Sequence, residues 1–166
     1  SHMTIYANLV IGQDGSTTRN GSSKSLSSQE DRRRFHELRR KVNCIFIGGE
    51  TARLEPYSKT PIPLVVVSKS QKINEISTNP ISKILNTNPK AALEMAINEY
   101  GPDVLIEGGP NLLIEVLDLI DELYITLSKE KGDGQLVSFD GLTRGFVMED
   151  LEKVEGEIFY KFKRPK

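Results

Sequence analysis

The chain has 166 residues, of which 37% are hydrophobic and 27% charged, with a formal net charge of −1. This length suits one domain with a proper core, and the composition is that of a soluble globular protein. The near-neutral charge argues against a general nucleic-acid binder. A single cysteine excludes an internal disulfide framework and a cysteine metal cluster, and no apolar run approaches the ~18 residues of a membrane span.

Ser1-His2-Met3 reads as a cleaved-tag scar with Met3 as the natural start, leaving residues 4–166 as a single domain. No signal peptide is visible, so a cytoplasmic protein is expected. Thr4–Ile11 reads as a first strand. Gly12–Ser25 is a polar, glycine-rich loop, long enough to be functional or disordered. Ser27 and Glu30 fit a capping box, and Phe35, Leu38 and Val42 give a narrow apolar stripe, so a helix is predicted over Ser28–Lys41. Cys44–Gly48 is a buried strand ending in Gly48-Gly49, which makes Cys44 an inert core thiol. Leu64–Ser68 is a third strand. Lys69–Thr87 is weakly patterned, with Ile73, Ile76, Ile81, Ile84 and Leu85 in short strands or turns.

Asn88-Pro89 opens a helix that Gly101 closes, with Ala92, Leu93, Ala96, Ile97 and Tyr100 inward. Val104–Ile106 is a short apolar strand running into Gly108-Gly109, and Pro110 starts a helix carrying Leu112, Leu113, Val116, Leu117 and Ile120 at helical spacing. Two glycines before a helix start let a ligand approach the backbone and offer free N–H groups to a phosphate. The same pattern also serves as a bare strand-to-helix turn. A strand follows at Glu122–Leu127. The last third reads as short strands at Gln135–Ser138, Gly145–Met148, Leu151–Val154 and Glu157–Lys163, the last with Ile158, Tyr160 and Phe162 on one face. The predicted class is α/β: a mixed, mostly parallel sheet flanked by helices, with a C-terminal antiparallel β meander.

The catalytic inventory is thin. His36, the only native histidine, sits on the first predicted helix and reads as solvated. No Walker-type phosphate loop, GxGxxG or zinc-deaminase motif occurs. No cluster of metal ligands is present. A glycine-rich phosphate turn, hydroxyls and a few cations remain, which suits an organic cofactor that brings its own reactivity. Arg32, Arg33, Arg34, Arg40 and Lys41 form a solvated charged face interrupted by Glu30, Asp31 and Glu37. Arg39, near the helix end, is placed to lean over the sheet edge and grip a phosphate through two hydrogen bonds. Glu30 and Asp31 are expected to face solvent.

Several of these pieces recur in a known order. They are Asp14-Gly15, Gly21-Ser22-Ser23, Leu26-Ser27, Arg32, Leu38-Arg39, Ile47-Gly48, Thr51, Val65–Ser68, Glu107-Gly108-Gly109-Pro110-Asn111-Leu112 and Ile120-Asp121-Glu122-Leu123. Together they resemble the reductase domain of riboflavin biosynthesis, a family with the dihydrofolate-reductase-like fold. The resemblance implies an NADPH-dependent reductase acting on a ribosylaminopyrimidine 5′-phosphate. Hydride would pass to the ribose C1′ and open the sugar to a ribityl chain.

Carried over, Ser23, Arg39 and Glu107 would touch substrate. Val10, Thr51, Glu55, Ser68, Gly108, Gly109, Pro110, Asn111 and Leu112 would touch NADPH, and Ser68, Lys69 and Ser70 form either a site for its 2′-phosphate or a plain polar turn. The resemblance also implies a homodimer with a small-molecule partner and neither nucleic acid nor membrane. This chain has Ser25 where the family often carries an aromatic residue, and Glu55-Pro56 where it often carries Asp-Asp-Pro. It is shorter than usual between Glu55 and Pro63 and in the final third, and reads as a stand-alone reductase. Two other readings keep the fold: a pterin or dihydrofolate reductase, and an NADPH-binding protein without turnover.

Overall fold

The computed structural model describes residues 3–69 and 78–166. Its strands are β1 (Thr4–Ile11), β2 (Cys44–Gly48), β3 (Leu64–Val67), β4 (Ser82–Leu85), β5 (Asp103–Gly108), β6 (Glu122–Leu127), β7 (Val147–Val154) and β8 (Glu157–Lys163). They form one sheet in the order β4-β3-β2-β5-β1-β6-β8-β7. The first six strands are mutually parallel, while β8 runs antiparallel to β6 and β7 antiparallel to β8. This is the mixed sheet with an edge meander that the sequence predicts.

The helices are α1 (Gln29–Arg39), α2 (Gly49–Leu54), α3 (Pro89–Tyr100), α4 (Pro110–Glu115) and α5 (Phe139–Thr143). The period-2 alternation of the buried strands sorts them onto two faces. Cys44 and Phe46 of β2, with Val104 and Ile106 of β5, pack against Ala92, Leu93 and Ala96 of α3 and Leu113 of α4. On the other face Ile45 and Ile47 meet Ala52 of α2, and Leu105 meets Leu38 and Val42 at the end of α1. Because β2, β3 and β5 are covered on both sides, they read in sequence as continuous apolar runs.

Local signals place most element ends. Asn88 caps α3 by accepting from the Ala91 N–H, Pro89 occupies its first turn, and Gly101 ends it at φ 131°. In α1 the cap is Ser28, whose hydroxyl accepts from the Asp31 N–H, so the helix begins one residue later than predicted. Ser27 does not cap; its hydroxyl donates to the Asp31 carboxylate.

Other expectations need correction. Gln135–Ser138 is not a strand; Leu136 makes only an isolated bridge to Ser16 and is 65% exposed. The two strands predicted at Gly145–Met148 and Leu151–Val154 are the single strand β7, whose register shifts between Met148 and Asp150. With both faces of β7 exposed, no burial pattern marks it as one element. In β8 both Phe159 and Phe162 are buried, Phe159 beneath the Arg34 guanidinium, which lies 3.9 Å over its ring. The short helices α2 and α5 have too few turns to show an apolar period. Ile73, Ile76 and Ser70 lie outside the described residues.

Candidate active site

The carboxyl ends of the parallel strands open into a cleft of about 1090 Å³. This is where ligands bind in open α/β sheets, and the volume suits a ligand of dinucleotide size or two smaller ones. Its floor is Asn8–Val10 of β1 and Tyr124–Thr126 of β6. One wall is formed by the turns that start α2 and α4, and the other by α1.

The first wall is built from glycine. Gly108 has φ +131°, a conformation side chains rarely adopt, and a Cβ on Gly109 would stand 3.0 Å from Thr51 Oγ1. The Gly108–Gly109 peptide is cis. Pro110 then begins α4, and Leu112 packs inward at 7% exposure. The Thr51 hydroxyl and the Gly108–Asn111 backbone therefore form one continuous surface on the cleft. Asn111 Oδ1 accepts from Gln135 Nε2 at 2.7 Å, tying the turn to the loop after β6.

The second wall carries charge. Arg39 donates from Nε and Nη2 to Glu107 Oε2 and Oε1 at 2.7 and 2.8 Å, and the Tyr57 hydroxyl donates to Glu107 Oε1 at 2.7 Å. Burial, then the Glu107 charge, push the Tyr57 phenol well above its ordinary value. Burial pulls the Arg39 guanidinium down, but its hydrogen bonds and charge contact with Glu107 outweigh this and its pKa is raised. His36 is held below the usual imidazole value by burial and the Arg39 charge.

The structure thus brings Arg39 and Glu107 to the cleft, but against each other. The two-point grip expected to meet a phosphate is occupied by the Glu107 carboxylate, and it leaves only Nη1 outside that fork. Tyr57, which sequence reasoning missed, completes the cluster. It follows Glu55-Pro56 in the shortened stretch, where no periodicity marks it.

Asp31 is the second residue missed. It is 9% exposed, not solvated, and lines the cleft. Thr126 Oγ1 donates to its Oδ1 at 2.6 Å, and the Ser27 hydroxyl donates to its Oδ2. The signal was present in the sequence: Asp31 precedes Phe35, Leu38 and Val42 at helical spacing, on the stripe that faces the sheet. Only its charge pointed outward.

The remaining expected residues are less uniform. Val10, Ser23 and Glu55 line the cleft. Glu55 accepts from the Ser22 hydroxyl and from the Ser23 N–H at 2.8 Å, so it anchors the loop before α1 to the end of α2. Ser68 does not line the cleft. It is 8% exposed and lies behind the β2–α2 turn, with its Oγ 2.9 Å from where a Cβ on Gly49 would stand. The basic run on α1 is largely self-neutralised: Arg33 and Arg34 pair with Glu30, Arg34 also with Glu152, and Arg40 with Glu37. Among the described residues no group of three or more His, Cys, Asp or Glu is placed to hold a metal, and no helix is long and apolar enough to cross a membrane.

Residues 3–128 match the family model of the RibD C-terminal domain. The chain belongs to that family. The 2,5-diamino-6-ribosylamino-4(3H)-pyrimidinone 5′-phosphate reductase of Aquifex aeolicus is 32% identical over 133 residues, covering 69% of this chain and 58% of that protein. The riboflavin biosynthesis protein RibD of the same organism is 30% identical over 157 residues, covering 84% of this chain and 43% of that protein. This family member therefore spans about half the length of the curated relatives it matches.

Among solved structures, a pyrimidine reductase-like protein of Corynebacterium diphtheriae superposes with a TM-score of 0.77 at 22% identity, covering 99% of this chain and 92% of that one. A dihydrofolate reductase of Enterococcus faecalis complexed with NADP(H) gives 0.73 at 14% identity, covering 98% and 97%. These two likenesses establish the dihydrofolate-reductase-like fold expected from the sequence.

Proposed function

We propose that this RibD-family chain is an NADPH-dependent reductase of a ribosylaminopyrimidine 5′-phosphate. The observation that carries the reading is the cleft itself, with a glycine-built wall facing an acid- and arginine-bearing wall. NADPH fits the first wall: at Gly109 a Cβ would fill the space beside the Thr51 hydroxyl, and the Gly108–Leu112 backbone lies open to a pyrophosphate. When bound, the nicotinamide supplies the hydride. The chain's own residues align the two ligands and balance their charges, which needs neither nucleophile nor metal.

On the substrate wall Glu107 faces the ribose, and Arg39 and Tyr57 hold its carboxylate in place. Lys24 and Lys59 line the cleft and form no ion pair with a carboxylate among the described residues, so the 5′-phosphate falls to them rather than to the Arg39 fork. Asp31 meets the pyrimidine. A carboxylate only accepts, so it pairs with a ring N–H and an adjacent 2-amino group and repels a 2-oxo group. The diamino form is therefore the preferred substrate.

Residues 4–166 act as one reductase domain. The exposed edge strand β7, with Val147 at 57% and Met148 at 52% exposure, is the face for a homodimer. A phosphorylated substrate and a dinucleotide cofactor support a cytoplasmic enzyme.

Asp31 also favours a second reading, because a buried acid on an early helix is what pairing with a pterin ring requires. One experiment decides: NADPH oxidation followed by absorbance with the diamino pyrimidine, its deaminated counterpart and dihydrofolate. Turnover of the diamino compound is expected. Turnover of dihydrofolate alone establishes the second reading, and NADPH binding with no turnover on any of the three marks a binding protein.

A further inference from the structure

Asn8 sits in the middle of the cleft floor with its side chain unused. The β1–β5 register pairs Tyr6 with Leu105 and Ala7 with Ile106, so Asn8 lies beside Glu107. On its other side Asn8 pairs with Tyr124, and Val10, two residues on, pairs with Thr126. Side chains alternate along a strand, so Asn8 shares the face of Tyr6 and Leu105, the one that meets the end of α1. Glu107, Asn8 and Thr126 thus succeed one another on three adjacent strands, spaced by about 5 Å, and Asn8 stands between Glu107 and the Thr126–Asp31 pair.

The neighbours of Asn8 on this floor are all engaged. Glu107 is held by Arg39 and Tyr57, the Tyr124 hydroxyl donates to Glu122 Oε1 at 2.8 Å, and Thr126 donates to Asp31. Among the described residues the Asn8 carboxamide has no hydrogen-bond partner. Asn8 is half-buried and lines the cleft, and no fully buried polar side-chain atom lacks a partner, so its oxygen and nitrogen both reach the cleft.

A carboxamide places a donor beside an acceptor, and its complement is a ligand edge with an acceptor beside a donor. In the pyrimidine, Asp31 takes the edge with the ring N–H and the 2-amino group, and Glu107 faces the ribose carried on the 6-position. The flank between them holds the 4-oxo oxygen and the 5-amino group, an acceptor and a donor on adjacent carbons.

We propose that Asn8 reads this flank, with Nδ2 donating to the 4-oxo oxygen and Oδ1 accepting from the 5-amino group. This rests on the reading of the cleft as a ribosylaminopyrimidine site. The diamino pyrimidine and its deaminated counterpart share the flank, so Asn8 selects the 5-amino class and Asp31 separates its two members. Dihydrofolate carries a ring nitrogen without hydrogen where these compounds carry the 5-amino group. Its lone pair would face Oδ1, so the same residue works against the pterin reading.

The test is calorimetric titration of two free bases, 2,5,6-triamino-4-pyrimidinone and 2,6-diamino-4-pyrimidinone, which differ only in the 5-amino group. The proteins are the parent chain, Asn8→Ala and Asn8→Asp, and turnover of the ribosylated diamino substrate is followed on the parent. The parent should bind the triamino base ~5- to 50-fold more tightly. Asn8→Ala breaks no hydrogen bond within the fold, and should bring the two bases within about twofold of each other. Asn8→Asp keeps the acceptor and loses the donor, so it should weaken both bases through the shared 4-oxo group yet retain a preference for the triamino one. NADPH affinity should stay within about twofold throughout, because the dinucleotide lies against the other wall. A purely structural Asn8 would shift both bases together and leave their ratio unmoved. A parent that turns over the ribosylated substrate but binds both bases alike or neither, or an Asn8→Ala variant that keeps the parent's ratio, overturns the Asn8 assignment alone. A parent without that turnover overturns the pyrimidine reading and this inference with it.

Discussion

Arg39 and Glu107 are joined by a two-point ion pair that links the end of α1 to the end of β5, with the Glu107 side chain only 3% exposed and that of Arg39 13%. A buried charge that loses its partner is expensive, so Arg39→Ala should destabilise the fold by about 3–5 kcal/mol. Arg39→Lys keeps the charge but cannot supply two parallel N–H donors, and should fall between parent and alanine variant. Urea unfolding measures both. An alanine variant as stable as the parent would show that the pair does not form.

Tyr57 gives the cluster a pH signature. Its folded-state pKa is raised above the ordinary 10.0, chiefly by burial and then by the Glu107 charge. A group raised in this way contributes stability that is fully present below the unfolded value and lost as pH climbs past it. Stability should therefore fall above about pH 10, and Tyr57→Phe should flatten that alkaline limb. Identical limbs in the two proteins would exclude Tyr57 as the group responsible.

The Gly109 position tests the other wall. A valine there needs room that Thr51 Oγ1, 3.0 Å from the Cβ position, already fills. Gly109→Val should lose NADPH binding by at least ~10-fold, since close backbone approach is blocked. Calorimetric titration reads this directly, with circular dichroism to confirm the fold. Unchanged NADPH affinity would place the pyrophosphate elsewhere.

Cys44 is fully buried in β2, and burial alone pushes its thiol up to about 12. It should not react with a thiol reagent near neutral pH until denaturant is added, after which one thiol per chain should titrate. Rapid reaction of the native protein would mean that β2 opens locally.

How legible the molecule is in its sequence follows from what each residue type can signal. β2, β3 and β5 were readable because burial on both faces leaves unbroken apolar runs such as Leu64–Val67, whereas β4, with no fully buried residue, sits inside a weakly patterned stretch. The Gly108-Gly109 turn was readable because glycine and proline act through the backbone itself. β7 was not, because strand pairing without burial leaves no pattern in side-chain polarity. The site was half legible for the same reason. Arg39 and Glu107 could be placed near the cleft, but the fact that they face each other depends on how α1 packs over β5, which no local spacing encodes. Asp31 was misplaced because its charge outweighed its position on the α1 stripe. Thr126, 95 residues away, is what makes its burial tolerable.

Asp31 therefore carries the sharpest test of substrate. Its two oxygens accept from Thr126 and Ser27, hydroxyls that can rotate and leave lone pairs for a ligand with two adjacent N–H donors. The diamino pyrimidine presents that pair; the deaminated form presents an oxo group in its place. Asn at this position offers one acceptor and one donor, so Asp31→Asn should weaken the diamino substrate by ~10- to 100-fold and improve the deaminated one relative to it. Loss of the hydroxyl contacts also costs stability, so the informative quantity is the ratio of kcat/KM for the two pyrimidines, which a purely structural role would leave unmoved. A parent that favours the deaminated form, or a variant that retains the parent's ratio, removes Asp31 from the ring-binding site.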